Sequence, residues 1–140
     1  MSLEHDECFQ KQKIRKFNRG ALLAKKELKT AESDLKRAKT TFAQKDYKWT
    51  TIQAYYSMFH SARALLYKKN LRERSHHCLA VAIKELYVTK KLLDYRLLEA
   101  LERAKVLREN ADYYDRFSKE SSSQILNKAQ DFLNVAKELV

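Results

Sequence analysis

Proline is absent from this 140-residue chain, glycine occurs once, at Gly20, and cysteine twice, at Cys8 and Cys78. Hairpins and sheet crossovers draw on Gly, Pro, Asn and Asp turns, so a sheet-rich fold lacks its usual corner residues here. That points to an all-α fold. No run of apolar residues reaches the length of a bilayer-spanning helix, roughly 20 residues. The opening stretch MSLEHDECFQ carries acids and no apolar core, so it does not read as a secretory signal. Two cysteines are too few for a disulfide framework, and both are expected as reduced thiols of a cytoplasmic protein. Glycine-rich phosphate loops, a Ser-His-Asp order and paired glutamates in a sheltered cleft are not apparent. The length fits one domain over residues 1–140, with 1–12 as a flexible extension.

Acidic residues are also in deficit. Lys and Arg number 29 against 18 Asp and Glu, a formal net charge of +11. The excess is local: Lys11 to Lys48 holds 13 cations against Glu27, Glu32, Asp34 and Asp46. Such a surplus favours a polyanionic partner, RNA or an acidic protein, although a solvated lysine-rich helix face has the same composition.

What the chain does have is helical periodicity. Ile14, Phe17, Ala21, Ala24, Leu28, Ala31, Leu35, Ala38 and Phe42 step by three and four without a miss. This predicts a long N-terminal helix of about 29 residues, roughly 43 Å at 1.5 Å per residue, with a seam a second helix can approach. Gly20 inside it would cost about 1 kcal/mol. Asp46 is the candidate N-cap of a second helix reaching about Lys69. Its two adjoining stripes (Trp49, Ile52, Tyr56, Phe59, Leu66 and Tyr55, Met58, Ala62, Leu65) call for neighbours on more than one side. Ser75 opens a shorter third helix, the fourth runs from about Leu92 to Tyr114, and Ser118 or Ser121 caps the fifth. The expected architecture is an antiparallel bundle of about five helices.

One position breaks the pattern. The fourth helix carries the stripe Leu97, Leu101, Ala104, Arg108, Ala111, which assigns a permanent cation to the inside. An unpaired buried arginine is expensive because it does not neutralise by losing its proton. Asp112, one turn on, is placed to pair with it. A structural ion pair is one reading; a guanidinium aimed at a phosphate and steadied by Asp112 is the other. Arg63 sits on the inward stripe of the second helix, so the two arginines together would make an anion site. His60, one turn after Tyr56, reads as a core histidine or as a proton-transfer group. His76 reads as a cap or as a phosphate donor beside the N-terminal amides of its helix. Tyr55, Tyr56, Tyr113 and Tyr114 read as core tyrosines or as base-stacking platforms.

Three segments together resemble the HEPN domain family: AYYSMFHSARALL (54–66), RSHH (74–77) and LRENADYYD (107–115). The resemblance covers roughly Ala24 to the C-terminus. It implies an antiparallel helical bundle, commonly a homodimer, in a toxin–antitoxin pair with a minimal nucleotidyltransferase. It also implies RNA or nucleotide as ligand, and for many members metal-independent RNA cleavage by an Arg-x(4–6)-His motif. There the arginine holds the scissile phosphate and the histidine handles the proton of the attacking 2′-hydroxyl. Mapped on Arg108, the histidine slot falls on Tyr113, Tyr114 or Asp115, none of which is histidine.

The resulting expectation is a HEPN-type RNA- or nucleotide-binding protein. Arg108 and His60 are its candidate catalytic residues, and Arg63, Tyr56, His76, Asp112 and Tyr113 its candidate binding residues. An endoribonuclease using Arg108 with His60 or His76, and a non-catalytic scaffold dimerising through the first helix, are the alternatives. Arg72 and His77 also satisfy Arg-x4-His, but matches to so short a motif arise by chance. No metal or cofactor is expected, since adjacent His76, His77 and Cys78 fan apart on a helix and the His5–Cys8 spacing has no second pair.

Overall fold

The computed structural model describes residues 2–140. Met1, part of the expected extension, lies outside the described residues. Six helices and a small two-stranded sheet follow one another as α1 (Leu3–Gln10), β1 (Ile14–Lys16), α2 (Gly20–Ala43), α3 (Tyr47–Lys68), β2 (Leu71–Glu73), α4 (His76–Ile83), a π turn (Lys84–Val88), α5 (Tyr95–Tyr113) and α6 (Lys119–Leu139). The protein is all-α in class, 77% helical.

Helix starts follow the sequence closely. The side chains of Asp46, Ser75, Asp94 and Ser118 accept hydrogen bonds from the backbone N–H of Trp49, Cys78, Arg96 and Ser121, each capping a helix. Helix ends follow from the missing glycines. The second residue past α1, α2, α3 and α5 takes a left-handed conformation (Gln12, Lys45, Asn70 and Asp115, φ 57, 62, 56 and 53°), a position usually given to glycine. Each such non-glycine residue costs roughly 1 kcal/mol.

Helix α3 is the centre. It packs against α2, α5, α6 and α4; its second expected stripe, Tyr55, Met58, Ala62 and Leu65, is buried throughout, while in the first Ile52 and Leu66 are buried and Tyr56 and Phe59 half-buried. Trp49 is the departure: expected inward in the first turn, it is 48% exposed. The α2 seam from Ala24 to Ala38 is buried within this one chain, against α3 and α6. Small residues bring the helices close enough for the Ser57 hydroxyl to donate to the Ala31 carbonyl at 2.8 Å.

Three expectations are corrected at the N-terminal end. The long helix begins at Gly20 and not at Ile14; Ile14–Lys16 pairs with β2 as an antiparallel strand. Ile14 is still buried, at 1% exposure, because a strand can place one residue inward as well as a helix can. Residues before it form α1, which packs on α4, with His5 and Cys8 buried. Finally, Cys8 and Cys78 are joined by a disulfide, not left as thiols. Seventy residues of sequence separate them, so only the docking of α1 on α4 brings them together. Gly20 also gains a reason: an added Cβ would lie 2.6 Å from the Tyr67 carbonyl oxygen, so only glycine lets α2 start against the end of α3.

Candidate functional site

The arginine predicted inside is where the α5 stripe puts it. Leu97, Leu101, Ala104 and Ala111 are buried, and Arg108 lies between them with its side chain 22% exposed. Its Nη2 donates to the Tyr56 hydroxyl at 3.0 Å and lies 3.4 Å from a carboxylate oxygen of Asp112. The guanidinium carbon stands 5.9, 5.5 and 5.7 Å from the ring centroids of Tyr55, Tyr56 and Tyr113. Three aromatic rings thus surround the cation at the outer limit of cation–π range, about 6 Å. Its Nε is buried without a hydrogen-bond partner among the described residues. A guanidinium offers five N–H donors in a fixed fork, and this one is left with donors to spare.

Tyr55 extends the cluster. Its hydroxyl shares a hydrogen bond of 3.2 Å with His76 Nδ1, and the two rings are stacked with centroids 6.0 Å apart. Burial pushes the Tyr55 hydroxyl up to about 12, with Tyr56 adding to the rise and Arg108 opposing it. Burial likewise brings the His76 imidazole down to about 4, helped by the charges of Lys105 and His77. His76 is therefore neutral at pH 7, and its Nε2 is buried without a hydrogen-bond partner among the described residues. Lys105, one turn before Arg108 on α5, was not singled out by sequence reasoning; its spacing of three residues from Arg108 was the available signal. Beside His76 and Lys105 an open hollow of about 440 Å³ lies between α1, α4, the π turn and α5, with Glu4, Lys84 and Tyr95 on its walls.

The remaining candidates have other partners. Arg63 is held by Glu73 through Nη2 at 2.8 Å and Nε at 3.2 Å, and its guanidinium lies 4.6 Å from the Phe59 ring. Burial lowers the Arg63 pKa, but the hydrogen bonds and charge of Glu73 outweigh it and leave the value raised. His60 faces α2, with Nδ1 2.7 Å from Glu27 and Nε2 3.9 Å from Asp34. So Arg108, Tyr56, Asp112 and Tyr113 come together, His76 joins them through Tyr55, and His60 and Arg63 are engaged by carboxylates from α2 and β2. Arg72 lies exposed on β2, and His77 sits 3.8 Å from Glu4 with 70% of its side chain exposed. The His5–Cys8 spacing has no ligand role left, since Cys8 is in the disulfide.

Residues 24–139 match the HEPN domain family. Over 111 residues, 79% of this chain and 83% of the relative, the sequence is 31% identical to a Methanocaldococcus jannaschii protein named "putative toxin". A second protein of that name from the same organism is 28% identical over 79% of this chain and 76% of its own length. A "UPF0332 protein" of Archaeoglobus fulgidus is 33% identical over 81% of this chain and 91% of its own. The matched span takes in α3, α4, α5 and α6, and with them every side chain around Arg108. By that match the chain belongs to the HEPN domain family.

Proposed function

We propose that this protein binds RNA or nucleotide phosphate at Arg108, as the toxin-like component of a toxin–antitoxin pair whose other half is a minimal nucleotidyltransferase. The observation that carries the reading is the state of the Arg108 fork. It is fixed by Tyr56 and Asp112, faced by three tyrosine rings, and has donors that no described residue uses. A phosphate is the bidentate acceptor such a fork fits, and flanking rings suit the attached base. The names carried by two relatives support the toxin-like half of the reading. Exposed Tyr113, Tyr114, Val106 and Phe117 at the end of α5 and just beyond it offer a surface for a second copy or for the nucleotidyltransferase.

Binding, not cleavage, is the primary activity in this proposal, because no imidazole stands in the helix α5 slot. A metal-independent endoribonuclease remains a second reading on one specific ground: His76 is neutral at pH 7 and reaches the Arg108 cluster through Tyr55.

The test is a nucleotide and RNA titration of the wild type and Arg108→Met, together with RNA incubation in EDTA. Binding that weakens in the variant, without cleavage by either protein, supports the primary reading. Cleavage in EDTA that is lost in His76→Phe supports the second. Unchanged binding in Arg108→Met with a lowered Tm in both Arg108→Met and Asp112→Asn would make the arginine a structural ion pair and end the proposal. Co-expression with a minimal nucleotidyltransferase from the same genome tests the pairing: growth arrest relieved by the partner is the expected result.

A further inference from the structure

We propose that the β1–β2 ribbon is a second contact surface, a platform for the RNA phosphate backbone, which rests on the RNA-binding reading above and adds a site to it. The pairing register sets Ile14 opposite Glu73 and Arg15 opposite Arg72. Ile14 and Glu73 are the inward pair, both buried. Side chains alternate across a strand, so Arg15 and Arg72 share the outward face. The Arg74 N–H donates to the Lys13 carbonyl at 2.8 Å, which continues the register and adds Lys13 opposite Arg74 on that face. All four are exposed. The outward face of the ribbon is thus two cross-strand pairs of like charge. Like charges placed directly opposite destabilise a sheet. The fold tolerates an arrangement that works against it.

Arg72 stands 5.5 Å from the Phe17 ring, but no described acid relieves the repulsion. None of Lys13, Arg15, Arg72 and Arg74 forms an ion pair with a described residue. Stretches 11–19 and 68–74 contain one acid, Glu73, and it is buried against Arg63. Lys16, Arg19 and Lys68, in the same two stretches, are exposed as well. Glu7 of α1 lies by Lys13 on the rim of a small hollow, so the weight falls on Arg15, Arg72 and Arg74.

An acidic protein would meet the same charge, but a protein interface has an apolar centre. No large exposed hydrophobic side chain lies on the ribbon. Charge without an apolar centre is the pattern of backbone contact with nucleic acid. The surface is also held in place. β1 precedes the family match, which begins at residue 24, and it is fixed on one side by pairing with β2 and on the other by α1, which the Cys8–Cys78 disulfide joins to α4. From Arg74 the chain runs directly to Ser75 and His76, so the platform adjoins the edge of the Arg108 cluster.

The test is fluorescence anisotropy of a labelled 20-nucleotide uridine RNA with the full chain, titrated across a series of KCl concentrations. The proteins compared are wild type, Arg15→Gln/Arg72→Gln, Lys13→Gln/Arg74→Gln and Arg108→Met. For single strands the log–log salt slope carries about 0.7 per neutralised phosphate. Each double variant should therefore lower the slope by about 1.4 and weaken binding about 25-fold at 0.1 M salt, with the difference vanishing near 1 M. Both should melt no lower than wild type, since each removes a repulsive pair. Arg108→Met should lower the slope by at most about 0.7. If both double variants keep the wild-type slope while Arg108→Met weakens binding, the platform is overturned and the Arg108 reading stands. If the double variants weaken and Arg108→Met does not, the platform stands and the Arg108 reading falls. A wild type that binds no RNA overturns both. Poly-L-glutamate that displaces the RNA at equal charge concentration overturns RNA as the occupant in favour of an acidic protein.

Discussion

Arg63 and Arg108 are the same residue, on adjacent central helices, with nearly the same exposure: 23% and 22% of the side chain. Burial therefore does not distinguish them. Partner geometry does. Arg63 meets a carboxylate that is itself only 4% exposed, through two hydrogen bonds in the fork arrangement. Arg108 has a phenol, a carboxylate at 3.4 Å that is 37% exposed, and a buried Nε with no partner among the described residues. The first guanidinium is closed on one buried carboxylate through its Nε and Nη2, while the second leaves its buried Nε unpaired among the described residues. A two-point fork on a buried carboxylate holds structure together; a guanidinium held at one nitrogen by a phenol and a half-exposed carboxylate is less committed to the fold.

The largest expected effect is at the Arg63–Glu73 fork. Arg63→Met leaves the Glu73 carboxylate buried without its partner, and we expect a loss of about 3 kcal/mol in urea unfolding. RNA binding per folded molecule should not change. Glu73→Gln, which keeps one hydrogen-bond acceptor, should cost less. A small stability effect for Arg63→Met would break the comparison, since the two arginines would then be energetically alike.

Arg108→Met should behave oppositely. Methionine keeps the aliphatic stem and removes an inward charge. We expect binding of RNA or nucleotide to weaken by about 1.5–3 kcal/mol, the range for a lost charged hydrogen bond. Unfolding free energy should move by less than about 1 kcal/mol. Isothermal titration and denaturant melts on one preparation separate the two quantities.

Acid sharpens the contrast. Folding lowers the pKa of His76 to about 4 from the ordinary 6.5, and burial also lowers that of His5. The unfolded chain therefore takes up these protons first as pH falls, and their contribution to stability is complete above pH 6.5 and lost on going down toward 4. Tm should fall over that window. His76→Phe should flatten the fall. A Tm profile of His76→Phe identical to wild type between pH 7 and 4.5 would show that this imidazole is not the group responsible.

The smallest effect is expected for Asp112→Asn. A partly exposed i,i+4 pair contributes roughly 0.2–0.5 kcal/mol, so its melting curve should nearly overlay that of the wild type. A larger loss would place Arg108 beside Arg63 as a structural ion pair.

The helical class and most boundaries were legible in the sequence. Asp46, Ser75 and Ser118 act through hydrogen bonds to backbone only three residues away, and the stripes of α3 and α5 come from a 3.6-residue period; both are local. Arg108 was legible for the same reason, as a break in that period. The strand at Ile14–Lys16 was not. Ile14 and Phe17 continue the α2 period by coincidence, and β1 exists only because β2, some 57 residues later, supplies its hydrogen-bond partners. Nor could sequence divide the arginines. Each had a nearby acid, but Glu73 is brought under Arg63 by the turn at Asn70, while Asp112 is attached one helical turn beyond Arg108 and reaches it at an angle that leaves donors unused. His60 was drawn away by Glu27 and Asp34 from α2, and Cys8 found Cys78 only once α1 had docked. Periodicity and capping are properties of neighbouring residues, so the sequence determined the helices and the odd arginine. Which donors end up satisfied depends on groups from distant segments, and only the tertiary packing decided that.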